Sequence, residues 1–313
     1  MNQHKEQSSY YYQKAKDAYL RSNISQAIEF LRGAIKINSN IAEYFSLRGR
    51  CYAEIHKYGK ALKDYNTAIK LAPTSKDCRK SCYIKRAEIH KKDCCSEAAL
   101  QDYSSAIELD PTDIEPYLER VKIYERDYYL RHCYKFEQLL QDYSKIIELD
   151  PQNTRFYLKR GRYYAKQNRL DEALQDYNKA IELDMQDSWS YFGRAEIYRR
   201  QRKFELAQSD AEQMINLAPN NFDGYLEKGL IVLDINKFTE ALNLFQTDIK
   251  NHFNDNEPTV RLLVKFYLHW TKGVIAHHQN NIAKTFKSFS SASNTLNKLS
   301  KTWGKEKGIS TIK

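Results

Sequence analysis

Apolar and polar positions along this chain recur with the period of an α-helix. In segments such as YFSLRGRCYAEI and YLKRGRYYAKQ, apolar and small residues return at steps of three and four. That spacing places them on one side of a helix. The chain has only 10 Gly and 6 Pro in 313 residues, so it has little material for turns and hairpins. The pattern therefore predicts an all-α protein whose helices are joined by short loops.

A second, longer period organises these helices. Four segments follow one pattern: YGKALKDYNTAIKLAP, SEAALQDYSSAIELDP, FEQLLQDYSKIIELDP and LDEALQDYNKAIELDM. Their last residues are Pro73, Pro111, Pro151 and Met185, and Pro219 follows Met185 by 34 residues. Each unit consists of helix A, a short turn and helix B, with a period of 34 residues and local insertions.

The period divides the chain into units. We predict a flexible N-terminus at 1–7, seven repeats, a divergent basic eighth helix pair at 256–299, which caps the array, and a basic tail at 300–313. The seven repeats, numbered 1 to 7, lie at 8–41, 42–75, 80–113, 114–153, 154–187, 188–221 and 222–255. Four extra residues, 76–79, separate repeats 2 and 3, and about six more are expected to lengthen the A–B turn of repeat 4.

The residues at fixed positions of each unit resemble the tetratricopeptide repeat, and the resemblance covers nearly the whole chain. The family's aromatic residue near the start of helix A is met by Tyr11, Phe45, Tyr83, Tyr117, Tyr157, Tyr191 and Tyr225. Its small residue within helix A is met by Ala15, Gly49, Ala87, Gly161, Ala195, Gly229 and Gly273, and that of helix B by Ala27, Ala61, Ala99, Ala173, Ala207 and Ala241. Val121, Leu139 and Thr285 depart from the pattern. The resemblance implies a right-handed superhelical α-solenoid of about eight helix pairs, in which helices A line a concave surface that holds partner segments.

A pair of opposite charges recurs in repeats 2 to 6. An arginine precedes the small position of helix A, at Arg48, Arg86, Arg120, Arg160 and Arg194, and an aspartate lies in the middle of helix B, at Asp64, Asp102, Asp142, Asp176 and Asp210. We interpret these as ion pairs between packed helices, because an unpaired buried charge is costly. The alternative is that the arginines are ligands for an acidic partner.

Basic residues are frequent at the solvent-facing positions of helix A, most densely in repeats 4 to 6. The candidate partner-binding residues are Lys122, Arg126, Arg155, Lys159, Arg162, Lys166, Arg199 and Arg200. A groove of one charge sign can attract an acidic segment and fix its register. The alternative is an ordinary solvated face.

Chaperone-binding members of the family hold a C-terminal carboxylate with Lys, Asn and Arg at defined positions. The corresponding residues here are Tyr12, Lys16, Leu47, Ser81 and Lys85. This carboxylate clamp is absent, so we do not expect a chaperone C-terminal peptide as partner.

The end of the sequence is strongly basic. Residues 256–313 hold ten Lys and Arg against Glu257 and Glu306, a net charge of +8 out of +10 for the chain. Lys298, Lys301, Lys305 and Lys307 are candidate contacts for a polyanion. Contact with RNA or DNA would use phosphate pairing and aromatic stacking, but no nucleic-acid-reading motif accompanies the charge.

No motif for catalysis or metal binding is present. The sequence lacks the phosphate-binding GxxxxGK[ST], the HExxH and the GxSxG patterns, and the two pairs Cys78/Cys82 and Cys94/Cys95 lie too far apart along one helix to share a zinc ion. The first residues, MNQHKEQSSYYYQ, have no basic region followed by an apolar stretch, so we do not expect a secretory signal. No run of 18 uncharged apolar residues appears, which argues against a membrane span. We therefore expect a cytoplasmic protein with reduced cysteines, no cofactor and no enzymatic activity.

These observations predict a non-catalytic scaffold or adaptor for protein–protein interaction. It would bind a partner segment in the concave groove, or pack as a subunit of a larger assembly. The alternative function is a subunit of a nucleoprotein complex that contacts RNA or DNA through the basic C-terminal module.

Overall fold

The computed structural model describes residues 2–72, 74–131, 135–245 and 258–306. The chain folds as two compact units, Met1–Pro151 and Gln152–Lys313. Their described residues form helices joined by short connections, without a strand. The first unit contains α1 (Asn2–Leu20), α2 (Ile24–Ile37), α3 (Ala42–Glu54), α4 (Tyr58–Leu71), α5 (Lys76–Lys92), α6 (Ser96–Leu109), α7 (Ile114–Arg131) and α8 (Phe136–Leu149). The second contains α9 (Thr154–Lys166), α10 (Leu170–Leu183), α11 (Ser188–Arg200), α12 (Phe204–Leu217), α13 (Phe222–Asp234), α14 (Phe238–Asn243), α15 (Pro258–His278) and α16 (Ile282–Glu306).

The helices pack as consecutive pairs within each unit. Each odd-numbered helix is a helix A that packs against the following helix B, as in α3 with α4 and α11 with α12. Helix B then packs against the next helix A, as in α4 with α5 and α12 with α13. Neighbouring helices A also contact each other, as in α3 with α5 and α9 with α11. The predicted all-α stack of helix pairs is therefore confirmed in each unit.

The turn between helix A and helix B has one geometry in the seven helix pairs whose turn lies among the described residues. Its second residue has a positive φ of 54° to 63°, at Ser22, His56, Cys94, Asn168, Arg202, Asn236 and Asn280. The next amide donates to a carbonyl five residues back, as from Cys95 to His90 at 2.9 Å. This is the hydrogen bonding of a Schellman motif, which normally has glycine at the left-handed position. It closes helix A in two residues and so makes a 34-residue unit possible.

Close approach of helices is achieved by pairing glycine with a ring. A Cβ added at Gly49 on α3 would lie 2.8 Å from Cε1 of Tyr65 on α4. Gly229 faces the ring of Phe245 in the same way, and Gly273 faces that of Phe289. Tyr65 is 1% exposed. The small position of helix A therefore packs against an aromatic ring from the helix B segment of the same pair, because the ring fills the space that a side chain on helix A would need.

Four segments differ from what the repeat alone predicts. Residues 2–7, predicted to be flexible, belong to α1, which begins at Asn2. Residues 76–79 form the first turn of α5 instead of a spacer between repeats. α7 runs to Arg131, so part of the repeat 4 insertion lengthens this helix, while residues 132–134 lie outside the described part of the chain. The first residues of the predicted tail continue α16 to Glu306. In each case the added residues continue a helix, which satisfies their backbone hydrogen bonds.

Candidate protein-binding site

The predicted charge pairs form a ladder of five ion pairs between helix A and helix B of the same repeat. In each pair the arginine Nε donates to Oδ2 of the aspartate and Nη2 donates to Oδ1, for example at 2.7 and 2.8 Å between Arg48 and Asp64. The same geometry is found for Arg86, Arg120, Arg160 and Arg194 with their aspartates. The prediction of inter-helix ion pairs is therefore confirmed. These arginines use the two-point geometry that suits a guanidinium and a carboxylate.

A third hydrogen bond joins each of three ladder arginines to the preceding repeat. Nη1 of Arg194 donates to the side-chain oxygen of Asn178 at 2.8 Å, and Nη1 of Arg120 donates to Ser104 at 2.8 Å. Arg86 makes the corresponding bond to Asn66. Asn66, Ser104 and Asn178 each stand two residues after a ladder aspartate. The sequence analysis missed this link, although the recurrent DY[NS] within helix B was a visible signal.

The ladder aspartates are buried and need their arginines. Asp142 and Asp176 are 2% and 3% exposed. Burial raises the pKa of both carboxyl groups, and the facing guanidinium lowers it in part. The ladder is therefore a structural element, because its arginines are occupied by buried carboxylates and cannot serve an acidic partner without breaking these pairs.

Two predicted groove cations of the first unit are engaged within the fold. Lys122 donates to Glu119, which also accepts from Lys91. Arg126 donates from Nη2 to Ser96 at 2.8 Å, and its Nε lies 3.5 Å from a carboxylate oxygen of Asp127. A partner would have to compete with these contacts.

The six predicted cations of the second unit divide into two groups. Arg199 is committed to α13, where its Nε donates to Glu227 at 2.6 Å and its Nη1 to Asp234 at 3.1 Å. Arg200 donates to the carbonyl of Ala165 at 2.9 Å and to Asn168 at 3.0 Å, which caps the end of α9. The others project from α9 and are exposed: Arg155, Lys159, Arg162 and Lys166.

Arg199 stabilises a carboxylate that the sequence analysis did not single out. Glu227 is 3% exposed, and burial raises its pKa while Arg199 lowers it. Removing Arg199 would leave Glu227 charged and unpaired in the interior, so Arg199 contributes to the packing of α11 against α13.

A cavity of about 540 Å³ lies on the helix A side of repeats 1 to 3. Lys16 on α1 holds its Nζ 4.9 Å from the ring centre of Tyr12, which packs 4.9 Å from the ring of Tyr44. Arg50 on α3 holds its guanidinium carbon 5.1 Å from the ring centre of Tyr19. Neither Lys16 nor Arg50 forms an ion pair among the described residues. Lys16 and Arg50 thus each make a cation–π contact, and both line the same cavity.

This cavity occupies the place of the carboxylate clamp with different chemistry. The clamp positions Tyr12, Lys16, Leu47 and Ser81 all line it. Burial raises the pKa of the Tyr12 hydroxyl, so Tyr12 presents a neutral ring and hydroxyl where the clamp would present a charged or amide group.

The candidate polyanion contacts lie on the last helix. Lys298 is exposed on α16, and Lys301 and Lys305 belong to the same helix. Lys307 lies outside the described residues.

The cysteines, and the other residue types that bind metals, form no metal site within the described residues. Cys94 and Cys95 are exposed and line a cavity of about 400 Å³ with Tyr124 and Lys135. Within 2–72, 74–131, 135–245 and 258–306, no three His, Cys, Asp or Glu side chains are grouped so that they could hold a metal ion. None of the helices in these ranges is both long enough and apolar enough to cross a bilayer.

The paired helices, their common register and the cavity on the helix A side define an α-helical repeat protein. Family models of the tetratricopeptide repeat match residues 42–75, 143–175 and 190–221, and a model described as TPR repeat matches residues 161–201. The chain therefore contains tetratricopeptide repeats.

A solved structure has a similar fold. The C-terminal part of a TPR repeat-containing protein from Cytophaga hutchinsonii is 20% identical, with a TM-score of 0.57 over 80% of this chain and 98% of that one. A tetratricopeptide repeat protein from Parabacteroides merdae is also 20% identical, with a TM-score of 0.46 over 85% of this chain and 99% of that one. At these identities the likeness concerns the fold alone. No curated protein matches the sequence.

Proposed function

We propose that this chain is a non-catalytic scaffold for protein–protein interaction, and that its helices A bind an extended segment of a partner protein. The observation that carries the proposal is the cavity of about 540 Å³ in repeats 1 to 3. Concave, partly apolar surfaces with a few convergent polar groups are where proteins bind ligands. The fold supports protein partners in general. The residues that line this cavity suggest the chemical character of the partner segment that would bind there.

The cavity is suited to a segment with an acidic side chain beside an apolar one. Lys16 and Arg50 offer two cations that form no ion pair with a described residue, although Arg50 also donates to the Tyr19 hydroxyl at 3.4 Å. Tyr12, Tyr19 and Leu47 offer apolar surface. Because each cation already lies over a ring, little side-chain entropy remains to be lost when a carboxylate binds. Glu43 and Asp77 at the rim disfavour a second acidic group nearby and would help to set the register.

The exposed cations of α9 are a separate candidate surface for an acidic segment. Arg155, Lys159, Arg162 and Lys166 lie on one helix A of the second unit. Arg199 and Arg200 are better omitted from any test of this surface, because changing them would disturb contacts within the fold. The pair Arg162 and Lys166 is the suitable target.

The experiment is affinity capture of the intact protein from the cells that make it, with partners quantified by mass spectrometry. The wild type is compared with Lys16→Glu/Arg50→Glu, with Arg162→Glu/Lys166→Glu, and with a control, Lys63→Glu/Lys70→Glu. The control residues are exposed on helix B, α4. Circular dichroism of each variant confirms that it is folded.

The proposal predicts that at least one partner is lost from the Lys16/Arg50 variant and kept by the control. Loss of partners only from the Arg162→Glu/Lys166→Glu variant would show that the binding surface is on α9 and not at the cavity. If all variants keep the wild-type partners, helices A are not the binding surface and the proposal is wrong.

A further inference from the structure

The lysines of the last helix lie along one of its sides. With 3.6 residues per turn, the five lysine positions of α16 fall within a single sector of about 100° around the helix axis. At 1.5 Å of rise per residue they extend over about 30 Å. The buried residues Ala292, Thr295 and Leu299 lie outside this sector. We call the five residues the lysine row: Lys284, Lys287, Lys298, Lys301 and Lys305.

No carboxylate accompanies the lysine row. Helices α15 and α16 together contain eight basic residues and a single acidic residue, Glu306. Lys284, Lys287 and Lys298 are exposed and form no ion pair with a described residue. On α8 and α10, by contrast, a lysine pairs with a glutamate three residues further on. Each member of the lysine row instead has another lysine three or four residues away, and such neighbours repel each other and weaken a helix. A bound polyanion would remove this repulsion.

The residues around the lysines favour a phosphate backbone over a protein surface as the ligand. The rest of the sector contains no large apolar residue, and its other members are Ala283, Ser291, Asn294 and Thr302. Interfaces between proteins normally have an apolar core, whereas contact with a nucleic-acid backbone requires only cations. Lysine also binds phosphate as a point charge, while two-point recognition of a carboxylate requires arginine, as in the ion-pair ladder of this fold.

The spacing along the helix favours a duplex over a single strand. Lys284 and Lys287 form one group, and the other three lysines begin 11 residues later, at Lys298. The two groups are therefore about 16 Å apart along the axis. This gap is comparable with the major groove of B-DNA, which is about 12 Å wide, so each group can contact the phosphates of a different strand. Proteins that hold single strands stack the bases on aromatic side chains, and the sector contains none.

We propose that the lysine row of α16 binds the phosphate backbone of a nucleic-acid duplex without reading its sequence. One group of lysines contacts the strand on one side of a groove, and the other group contacts the opposite strand. Because the contact is with phosphates alone, it requires no base-reading motif. The surface is separate from the cavity in repeats 1 to 3, so either proposal can fail while the other stands.

The probes are fluorescein-labelled DNA and RNA duplexes of about 20 base pairs with one arbitrary sequence, long enough to cover the lysine row. Binding to the full chain is measured by fluorescence anisotropy between about 50 and 200 mM NaCl. Each phosphate contact contributes about −0.9 to the slope of log K against log salt concentration, so we expect a slope of about −4 to −5 on DNA. Tighter binding of one of the two duplexes would identify DNA or RNA as the source of the backbone.

Variants of the lysine row locate the binding. Lys284→Gln/Lys287→Gln should reduce the magnitude of the slope by about 2, and Lys298→Gln/Lys301→Gln/Lys305→Gln by about 3. Each variant should also weaken binding by about tenfold or more at the lowest salt concentration, because phosphate contacts are lost. Circular dichroism confirms that each variant is folded.

The controls separate the position of the charge from its amount. Lys63→Gln/Lys70→Gln removes two exposed lysines from α4 and lowers the net charge as much as Lys284→Gln/Lys287→Gln does. This control should leave the affinity and the slope unchanged. Lys284→Arg/Lys287→Arg keeps the charge and should keep the binding. Phe286→Ser should also bind as the wild type does, because Phe286 is exposed on another side of α16.

Four outcomes would overturn the proposal. The first is no binding of either duplex at about 50 mM NaCl, and the second is equal weakening by the α16 lysine variants and by Lys63→Gln/Lys70→Gln. The third is loss of duplex binding in Phe286→Ser, which would place the contact on the apolar side of the helix. The fourth is tighter binding of poly-glutamate, of anionic phospholipid vesicles or of the unpaired single strand than of both duplexes, which would assign the lysine row to a different ligand.

Discussion

Arg194 and Asp210 form a two-point ion pair in which Nε and Nη2 of the guanidinium each lie 2.8 Å from a carboxylate oxygen. Asp210 is 5% exposed, so the pair is largely removed from water. The remaining nitrogen, Nη1, donates to Asn178 on the preceding helix B. One side chain therefore connects its own helix pair and also the neighbouring pair.

Arg194→Leu is expected to destabilise the protein by about 2–4 kcal/mol, because Asp210 loses its partner while staying buried. Arg194→Leu/Asp210→Leu should cost less than the single change, since no unpaired charge remains. Urea unfolding followed by circular dichroism measures both. A double variant less stable than the single one would show that the ion pair contributes net stability of its own.

Gly193→Ala is expected to destabilise the second unit by about 1–3 kcal/mol, since the added Cβ would overlap the ring of Tyr177. The ring is held in a packed interior at 4% exposure and cannot move away freely. Gly59→Ala is the matched control, because nothing lies within 4 Å of a Cβ built at Gly59. In a helix this control should be neutral or stabilising by up to about 1 kcal/mol. Thermal unfolding compares the two, and similar losses in both would contradict the packing argument.

The fold could be predicted from sequence because its main contacts repeat. The ladder arginines and aspartates recur at the same positions, so their pairing follows from co-occurrence alone. The link from Arg86 to Asn66 was harder to find, because the acceptor changes between asparagine and serine in different repeats. The helical extensions at 76–79 and up to Arg131 could not be placed either, since an insertion between two repeats reads equally well as a loop or as helix.

Cys94→Gly is expected to stabilise the first unit by about 0.5–1 kcal/mol. Cys94 has a φ of 57°, a left-handed conformation that costs a residue with a side chain about 1–2 kcal/mol and costs glycine little. The greater freedom of glycine in the unfolded chain offsets part of this gain. Cys94→Ala is the control, because it removes the thiol and keeps the steric conflict. Equal unfolding midpoints for the two variants would contradict the conformational explanation.

Lys80→Gln is expected to raise the pKa of Asp110 from about 2 towards the ordinary value near ~3.9. The hydrogen bond from Lys80 is the main cause of the low pKa, and Thr112 adds two further bonds. Since the folded pKa is lowered, the ionised carboxyl stabilises the fold above pH ~4, and this contribution disappears as the pH falls towards 2.

The measurement for Asp110 is a carboxyl ¹³C NMR titration of the wild type and of Lys80→Gln. Lys145→Gln serves as control, since Lys145 pairs with Glu148 on another helix. An unchanged Asp110 titration in Lys80→Gln would mean that the threonine bonds alone hold the pKa down.

The candidate binding surfaces were harder to predict than the fold. Counting basic residues on helix A does not reveal which of them the fold itself uses, and Arg199 pairs with Glu227 and Asp234 from the next repeat. Conversely, the role proposed for Lys16 and Arg50 rests on the rings beneath them and on a cavity, neither of which is visible in residue type or spacing. Such properties depend on side chains from three helices, α1, α3 and α5, that are separated in the sequence by intervening helices.

The hydrogen bond from the arginine Nη1 to the preceding repeat has a consequence for how an array of such units can lengthen during evolution. A unit such as repeat 3 contains both halves of the junction, Arg86 for the unit before it and Ser104 for the unit after it. A gene segment that encodes one unit would, after duplication in tandem, supply matching junctions on both sides of the new copy. For this hydrogen bond, growth by duplication requires no compensating substitution in the neighbours, and the exposed faces of the units can diversify while the bond is inherited intact.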